Sequence, residues 1–423
     1  MATVVGLDVG TSKIACLVGE TDEERRDGRL RIAGVGIVPS RGIKKGAIVN
    51  LDEAAGVIEA AVDKAERTSG REITNCYVGV AGAHIAALNS RGTVSISRSD
   101  HLVEAEDVTR ALESARTIAI PHSQEVIHVV PRGYWLDNEN GVRDPVGLHG
   151  YRLEVEAHIV TAAATALQTT EKCVNQAGVQ VDGFVLEPLA SGEAVLKEDE
   201  TELGVVLADI GGGTTDISIF LEGSIWHTIS LPVGGYHFSH DLAVGLQCPL
   251  AVAEDLKIRY GHASPDDVTD DSPIEVSSFG DSPLRGLTRH DIAEILSHRV
   301  LDIFDLILRE MKRSGYDGLL PAGIVFCGGS AQLVGLRETA RAYFGLPVRV
   351  AAPQNLAGLV DVLGTPAYAT SVGLLHWGLR HDRAKLRRRT RGAVSQRARD
   401  STAPMSASWL ERLRALLGPL LPD

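Results

Sequence analysis

Two stretches of the chain set an acid, a glycine turn and a pair of hydroxyls in the same order. They read VVGLDVGTSKIACLVGE from Val4 and VVLADIGGGTTDISIFLEG from Val205. The first offers Asp8, Gly10, Thr11, Ser12 and Lys13, and the second offers Asp209, Gly211, Gly212, Gly213, Thr214 and Thr215. These types suit phosphate. Glycine lets backbone N–H groups approach phosphate oxygens with no Cβ in the way, and the hydroxyls add donors. An aspartate ending each strand can hold waters around Mg²⁺, an ion that keeps several waters and takes few protein ligands. Either turn alone could be a plain glycine hairpin. Their recurrence about 200 residues apart is an internal repeat on the domain scale. Facing one another, they would grip a triphosphate from both sides.

Two further glycine turns fit beside them. FCGGSAQLVGL follows a buried run and opens a helix, placing Gly328, Gly329 and Ser330 where a nucleoside wall would stand. LPVGGYHFSHDL places Gly234 and Gly235 at a helix start, an end that favours phosphate.

The elements that must position these turns alternate between strand and helix patterns. Strand-like runs at the N-terminus give way to a helix over Leu51–Thr68. Further helices are expected at Glu104–Thr117, Ala164–Ala177, Tyr236–Val244, Leu250–Tyr260, Arg289–Arg313, Leu333–Phe344 and Ala367–Leu379. Gly261–Gly286, rich in Asp, Ser and Pro, reads as irregular. The alternation implies an α/β fold.

With 423 residues the chain is long enough for two domains or one large bilobal body. Its net charge is −13. From Arg380 onward, however, 11 Lys/Arg stand against 4 Asp/Glu, a net of +7 on an otherwise acidic chain. That asymmetry points the tail at an anionic surface. Cys16, Cys76, Cys173, Cys248 and Cys327 have neither metal nor redox spacing and read as buried thiols in a reducing compartment. Asp8 interrupts the N-terminal apolar run, which argues against a signal peptide. No run of 18 uncharged apolar residues exists to cross a membrane.

The tail ends in SASWLERLRALLGPLLPD. Ser408 and Glu411 read as a capping box, and Gly418-Pro419 as a stop. At about 100° per residue, Trp409, Leu410, Leu413, Leu416 and Leu417 share an arc of about 120°. So short a helix is marginal alone in water and needs an apolar surface. Each large anchor contributes roughly 1.5–3 kcal/mol before ordering costs. Each arginine adds about 1 kcal/mol at an anionic membrane. The alternatives are docking on the chain's own body or in a partner groove. The run RAKLRRRTR could be solvated or bind nucleic acid, but it lacks interleaved aromatics and the body is acidic.

The motifs in this order resemble the actin/Hsp70/sugar-kinase ATPase superfamily. Its two phosphate loops match Asp8–Lys13 and Asp209–Thr215, and its connecting segments match LEPLASGEAVL and YATSVGLLHWG. Its adenosine segment matches GIVFCGGSAQLVGL. Within it the chain is similar to the bacterial cell-division family FtsA. SRGIKKGAIVNLDEA looks like that family's loop-to-helix signature, the region His84–Ile159 like its inserted subdomain, and the linker and terminal helix like its tail.

The resemblance implies a bilobal actin-like, duplicated ribonuclease-H-like fold. Residues 1–83 and 161–190 would form the first lobe core, and 84–160 the inserted subdomain. Residues 191–245 and 315–380 would form the second lobe core, and 246–314 its smaller subdomain. A disordered basic linker over 381–407 and an amphipathic membrane-targeting helix over 408–423 would follow. It implies ATP and Mg²⁺ as ligands, with Asp8 and Asp209 arranging the ion through water. Glu187 would orient an attacking water, although it could instead cap its helix. Glu254 and Lys257 would lie beside ribose and adenine, although Lys257 could be solvated, as could Lys13. No strong general base stands in the motifs, so hydrolysis would be slow and nucleotide would act as a structural switch.

The resemblance further implies a peripheral protein on the cytoplasmic side of the membrane at the division site. Its partners would be itself in a filament, anionic phospholipid, the C-terminal peptide of the tubulin-like FtsZ, and other divisome proteins, with no nucleic acid. Arg289 and Arg299 are the candidate contacts for that acidic peptide. The rival readings are a small-molecule kinase of the superfamily, for which no substrate base stands out, and a pilus-assembly actin homologue, against which the terminal helix argues.

Overall fold

A computed structural model describes residues 2–21, 29–118, 120–270, 272–276, 279 and 284–381. Two sheets share one topology. In the first, strand Ala2–Val9 pairs antiparallel with Lys13–Thr21, which pairs antiparallel with Leu30–Pro39. On its other side Ala2–Val9 runs parallel to Asn75–Val80, and that strand parallel to Gln180–Leu186. In the second, Val205–Ile210 pairs antiparallel with Thr215–Leu221, which pairs antiparallel with Ser224–Leu231. On its other side it runs parallel to Ile324–Cys327, and that strand parallel to Val348–Val350. The chain is therefore an α/β protein whose two lobes repeat one plan. The central strands are buried on both faces, so they read as apolar runs without alternation.

The first sheet has one addition. Leu356–Gly358, from late in the chain, runs parallel to Leu30–Ile32 at its outer edge. Helix Leu51–Ser69 covers this sheet. Asn50 starts it, its side chain accepting from the Glu53 N–H at 3.3 Å. Contact with the sheet is backbone-close: a Cβ on Gly36 would lie 1.9 Å from the Ala61 carbonyl oxygen.

Between Asn75–Val80 and Gln180–Leu186 the chain builds a separate four-stranded sheet, in the order Ile85–Ser95, Arg152–Ala163, Gln124–Leu136 and Glu139–Val142. Helix Ala105–Arg116 packs on it through Ala111 and Ala115.

In the second lobe, helix Arg289–Ser314 begins at a Thr288/Asp291 capping box and buries Ile292, Leu296, Val300, Ile303, Phe304 and Ile307, the three-and-four spacing of an amphipathic helix. The expected helices stand close to where the periodicity puts them, although one begins at Leu336, after the left-handed Gly335. The Asp/Ser/Pro-rich segment is less irregular than its composition suggests, since Ile274–Val276 and Leu284–Leu287 pair antiparallel. Residues 1–377 form one compact unit. Of residues 378–423, a separate unit, only 378–381 are described, and they are helical. Among the described residues no helix is long and apolar enough to cross a membrane. The linker and the anchors Trp409, Leu410, Leu413, Leu416 and Leu417 lie outside the described residues.

Candidate functional site

The two central strands carry Asp8 and Asp209 to equivalent ends, where they are 5% and 6% exposed. The turn after each then meets the other. A Cβ on Gly212 would stand 3.0 Å from the Ser12 side chain, and one on Gly213 would stand 2.6 Å from Thr11 Oγ1. Only glycine allows that approach. The Thr11 hydroxyl in turn accepts from the Gly46 N–H at 3.2 Å.

A cavity of about 670 Å³ opens beside the paired turns, within the range of small-molecule sites. From the first lobe it gathers Asp8, Gly10, Thr11, Ser12, Lys13 and Glu187, and from the second Asp209, Gly211, Gly212, Gly213 and Thr214. Gly235, Glu254 and Lys257 form one wall, and Gly328, Gly329 and Ser330 another. Two expected residues do not line it. The fully buried Thr215 donates its hydroxyl to the Val233 carbonyl at 2.8 Å. Gly234 packs beneath the second turn, where a Cβ would meet the Gly211 carbonyl oxygen at 2.7 Å.

The walls are tied by hydrogen bonds. Lys13 Nζ donates to the Ala367 carbonyl at 2.6 Å and lies 4.8 Å from the Tyr368 ring centroid, so it bridges the lobes instead of facing solvent. Lys257 Nζ donates to Glu254 Oε2 at 2.7 Å, to Ser239 Oγ at 2.9 Å and to the Gly235 carbonyl at 3.2 Å. Ser330 Oγ donates to the Gly211 carbonyl at 3.1 Å.

Three carboxyl groups line this floor and a fourth, Asp216, is buried behind it. Asp216 joins Asp8, Glu187 and Asp209, because Asp209 and Asp216 are directly opposite in the hairpin register and so share a sheet face. Burial raises the Asp8 carboxyl above its usual range, with Asp209 adding to the rise while Lys13 and the Ser371 hydroxyl oppose it. Burial drives Glu187 well above the carboxylate range, and the charges of Asp8, Asp216 and Asp209 push it further. Burial likewise lifts Asp216 to about 7, held there against hydrogen bonds from Ser230 and Thr214. Four acids facing one lysine repel their own ionised forms. A divalent cation with its water shell is the group whose charge relieves that repulsion, so the donor set fits hydrated Mg²⁺.

The sequence reading omitted Asp216, which stands in DIGGGTTDIS two residues past Thr214 and is legible there once the hairpin register is known. It also omitted Ser191, Thr370 and Ser371, whose hydroxyls reach Asp209 and Asp8 from the connecting helices. No local signal marks those three. Of the peptide-binding candidates, Arg289 Nε donates to the Tyr260 carbonyl at 3.1 Å. Arg299 grips Asp241 with Nε at 2.7 Å and Nη2 at 3.1 Å, and reaches Asp302 at 3.2 Å. An acidic peptide would have to compete with those carboxylates for Arg299.

Comparison with known proteins follows the same lines as the geometry. A family model described as "Cell division protein FtsA" matches residues 206–373, and one described as "SHS2 domain inserted in FTSA" matches residues 82–161. The chain is 46% identical over 376 residues to the cell division protein FtsA of Pseudomonas aeruginosa, covering 89% of each. It is 36% identical over 424 residues to that of Escherichia coli K12, covering 98% of this chain and 97% of the other. Among solved structures, the PilM–PilN type IV pilus biogenesis complex superposes with a TM-score of 0.65 at 15% identity, over 89% of this chain and 98% of that one. MreB5 of Spiroplasma citri bound to AMPPNP does so with a TM-score of 0.55 at 13% identity, over 93% and 99%. The fold is the actin-like one.

Proposed function

Because the chain belongs to the FtsA family of actin-like cell-division proteins, we propose that it binds an adenine nucleotide with Mg²⁺ between its lobes. It assembles into filaments and ties FtsZ to the cytoplasmic face of the membrane at the division site. The observation that carries the nucleotide reading is the facing of two repeated Asp–Gly–hydroxyl turns across one cavity lined by Asp8, Glu187 and Asp209, with Asp216 buried behind them. The nucleotide-bound MreB5 structure shares this fold.

When bound, the magnesium nucleotide supplies a phosphoanhydride and a cation that neutralises the acidic floor. The chain's residues do the rest. Backbone N–H groups of Gly10 to Ser12 and of Gly212 to Thr214 would donate to phosphate oxygens, while the Gly211 N–H closes the turn on the Thr214 carbonyl, and Asp8 and Asp209 would order the ion's waters. Glu254 and Lys257, with Gly328 to Ser330, hold the nucleoside. Burial and its acidic neighbours push the Glu187 carboxyl up, and a bound cation would oppose that rise. With no strong general base in the motifs, hydrolysis is slow, and the nucleotide acts as a switch in lobe angle.

Outside the cavity, the basic tail meets anionic lipid while Trp409, Leu410, Leu413, Leu416 and Leu417 insert. Multivalency in the filament turns weak single contacts into lasting attachment. The FtsZ C-terminal peptide docks in the smaller subdomain of the second lobe, with other divisome proteins recruited later.

Calorimetry with MgATP tests the nucleotide reading, and absence of binding refutes it. Liposomes of anionic phospholipid co-sedimented with the full chain and with a chain ending at Ala403 test the anchor. We expect only the full chain to pellet; equal pelleting removes the membrane claim.

A further inference from the structure

We propose that Ser371, together with the pair Ser191 and Thr370, are positioning residues that aim Asp8 and Asp209 at a shared hydrated cation from the crossing of the two connecting helices. This rests on the nucleotide reading above and names how that same site is organised.

Every hydroxyl engages the same oxygen of its aspartate. Ser371 Oγ donates to Asp8 Oδ2 at 2.6 Å. Asp209 Oδ2 accepts from Ser191 Oγ at 2.6 Å and from Thr370 Oγ1 at 3.1 Å, and those two hydroxyls lie 2.9 Å apart. Pinning one oxygen fixes the carboxylate plane, so the other is aimed too. Each Oδ1 then faces a glycine turn of the site. Asp8 Oδ1 lies 3.6 Å from where a Cβ on Gly10 would stand, and Asp209 Oδ1 lies 2.4 Å from where one on Gly328 would stand.

The donors come from two crossing helices, not from the strands that bear the aspartates. Ser191 belongs to helix Glu187–Val195, and Thr370 and Ser371 to the helical residues 369–377. These helices cross in backbone contact: a Cβ on Gly373 would stand 1.8 Å from the Ala190 carbonyl oxygen. Gly373 and Ala190 lie within three residues of the hydroxyls. Ser191 and Ser371 are fully buried and Thr370 nearly so. Burying three hydroxyls is costly unless each is bonded, and here the bonds go to the two carboxylates that face the cation.

The test uses the full chain and a fluorescent ATP analogue, titrated with Mg²⁺ and again in EDTA. We expect Ser371→Ala to lose about tenfold or more of the magnesium-dependent gain in affinity, as loss of outer partners of a metal site does. Its affinity in EDTA should stay as in the parent, and Ser371→Thr should restore the gain. The double variant Ser191→Ala/Thr370→Val gives an independent reading should Ser371→Ala not fold. A full magnesium gain in both variants overturns the proposal. So does an equal loss with and without Mg²⁺, which marks packing alone. A parent protein that binds no nucleotide under either condition overturns the nucleotide reading itself, a distinguishable failure.

Discussion

Asp209 and Asp216 stand opposite one another in their hairpin, and each is bonded by two hydroxyls. Burial lifts the Asp216 carboxyl to about 7. For an acid whose pKa is raised on folding, the folded state holds the proton longer than the unfolded one. Stability from that group is therefore full below the unfolded value near 4 and is lost as pH rises towards about 7. We expect Asp216→Asn to raise the thermal midpoint of the nucleotide-free protein at pH 8 and to leave it nearly unchanged at pH 4, measured by differential scanning fluorimetry. Asp209→Asn acts on binding instead. It should weaken magnesium-nucleotide affinity by about tenfold or more, roughly 1.4 kcal/mol per factor of ten, in the calorimeter. Equal affinity would mean that the strand-end acid does not face the ion.

At the level of elements, the hairpins were readable because their signals are local: an apolar strand, an acid, glycines, hydroxyls, a returning strand. The helices were readable from spacing and caps, as with Asn50 and the Thr288/Asp291 box. What escaped depends on contacts between distant positions. The Ser371–Asp8 bond joins residues 363 apart, and the three-residue strand Leu356–Gly358 has too few positions to show a period. The hairpin of Ile274–Val276 with Leu284–Leu287 was hidden by the polar residues around it. Glycine also marks element contacts that periodicity does not report. Gly36 lets helix Leu51–Ser69 lie on the sheet. Gly36→Ala should cost about 3 kcal/mol, because the added carbon meets backbone that cannot rotate away. A thermal midpoint several degrees lower, with nucleotide affinity retained, would show this. An unchanged midpoint would mean that the helix rides higher than described.

Across residues 1–377, the repeated plan explains why one cavity can be built from both halves. Each half supplies an acid and a glycine turn, and Lys13 ties the first turn to the Ala367 carbonyl. The halves are nevertheless unequal. The first carries the inserted four-stranded sheet and the second the long helix Arg289–Ser314, so ligand binding meets two different outer surfaces.

The strand Leu356–Gly358, seated beside Leu30–Ile32, stitches the two copies of the plan together. The first sheet takes its outer edge from a ribbon encoded more than three hundred codons downstream, so cutting the chain between the copies strips that edge. Gene fission after Leu203 should give fragments that are insoluble when produced singly and that complement one another only on co-expression.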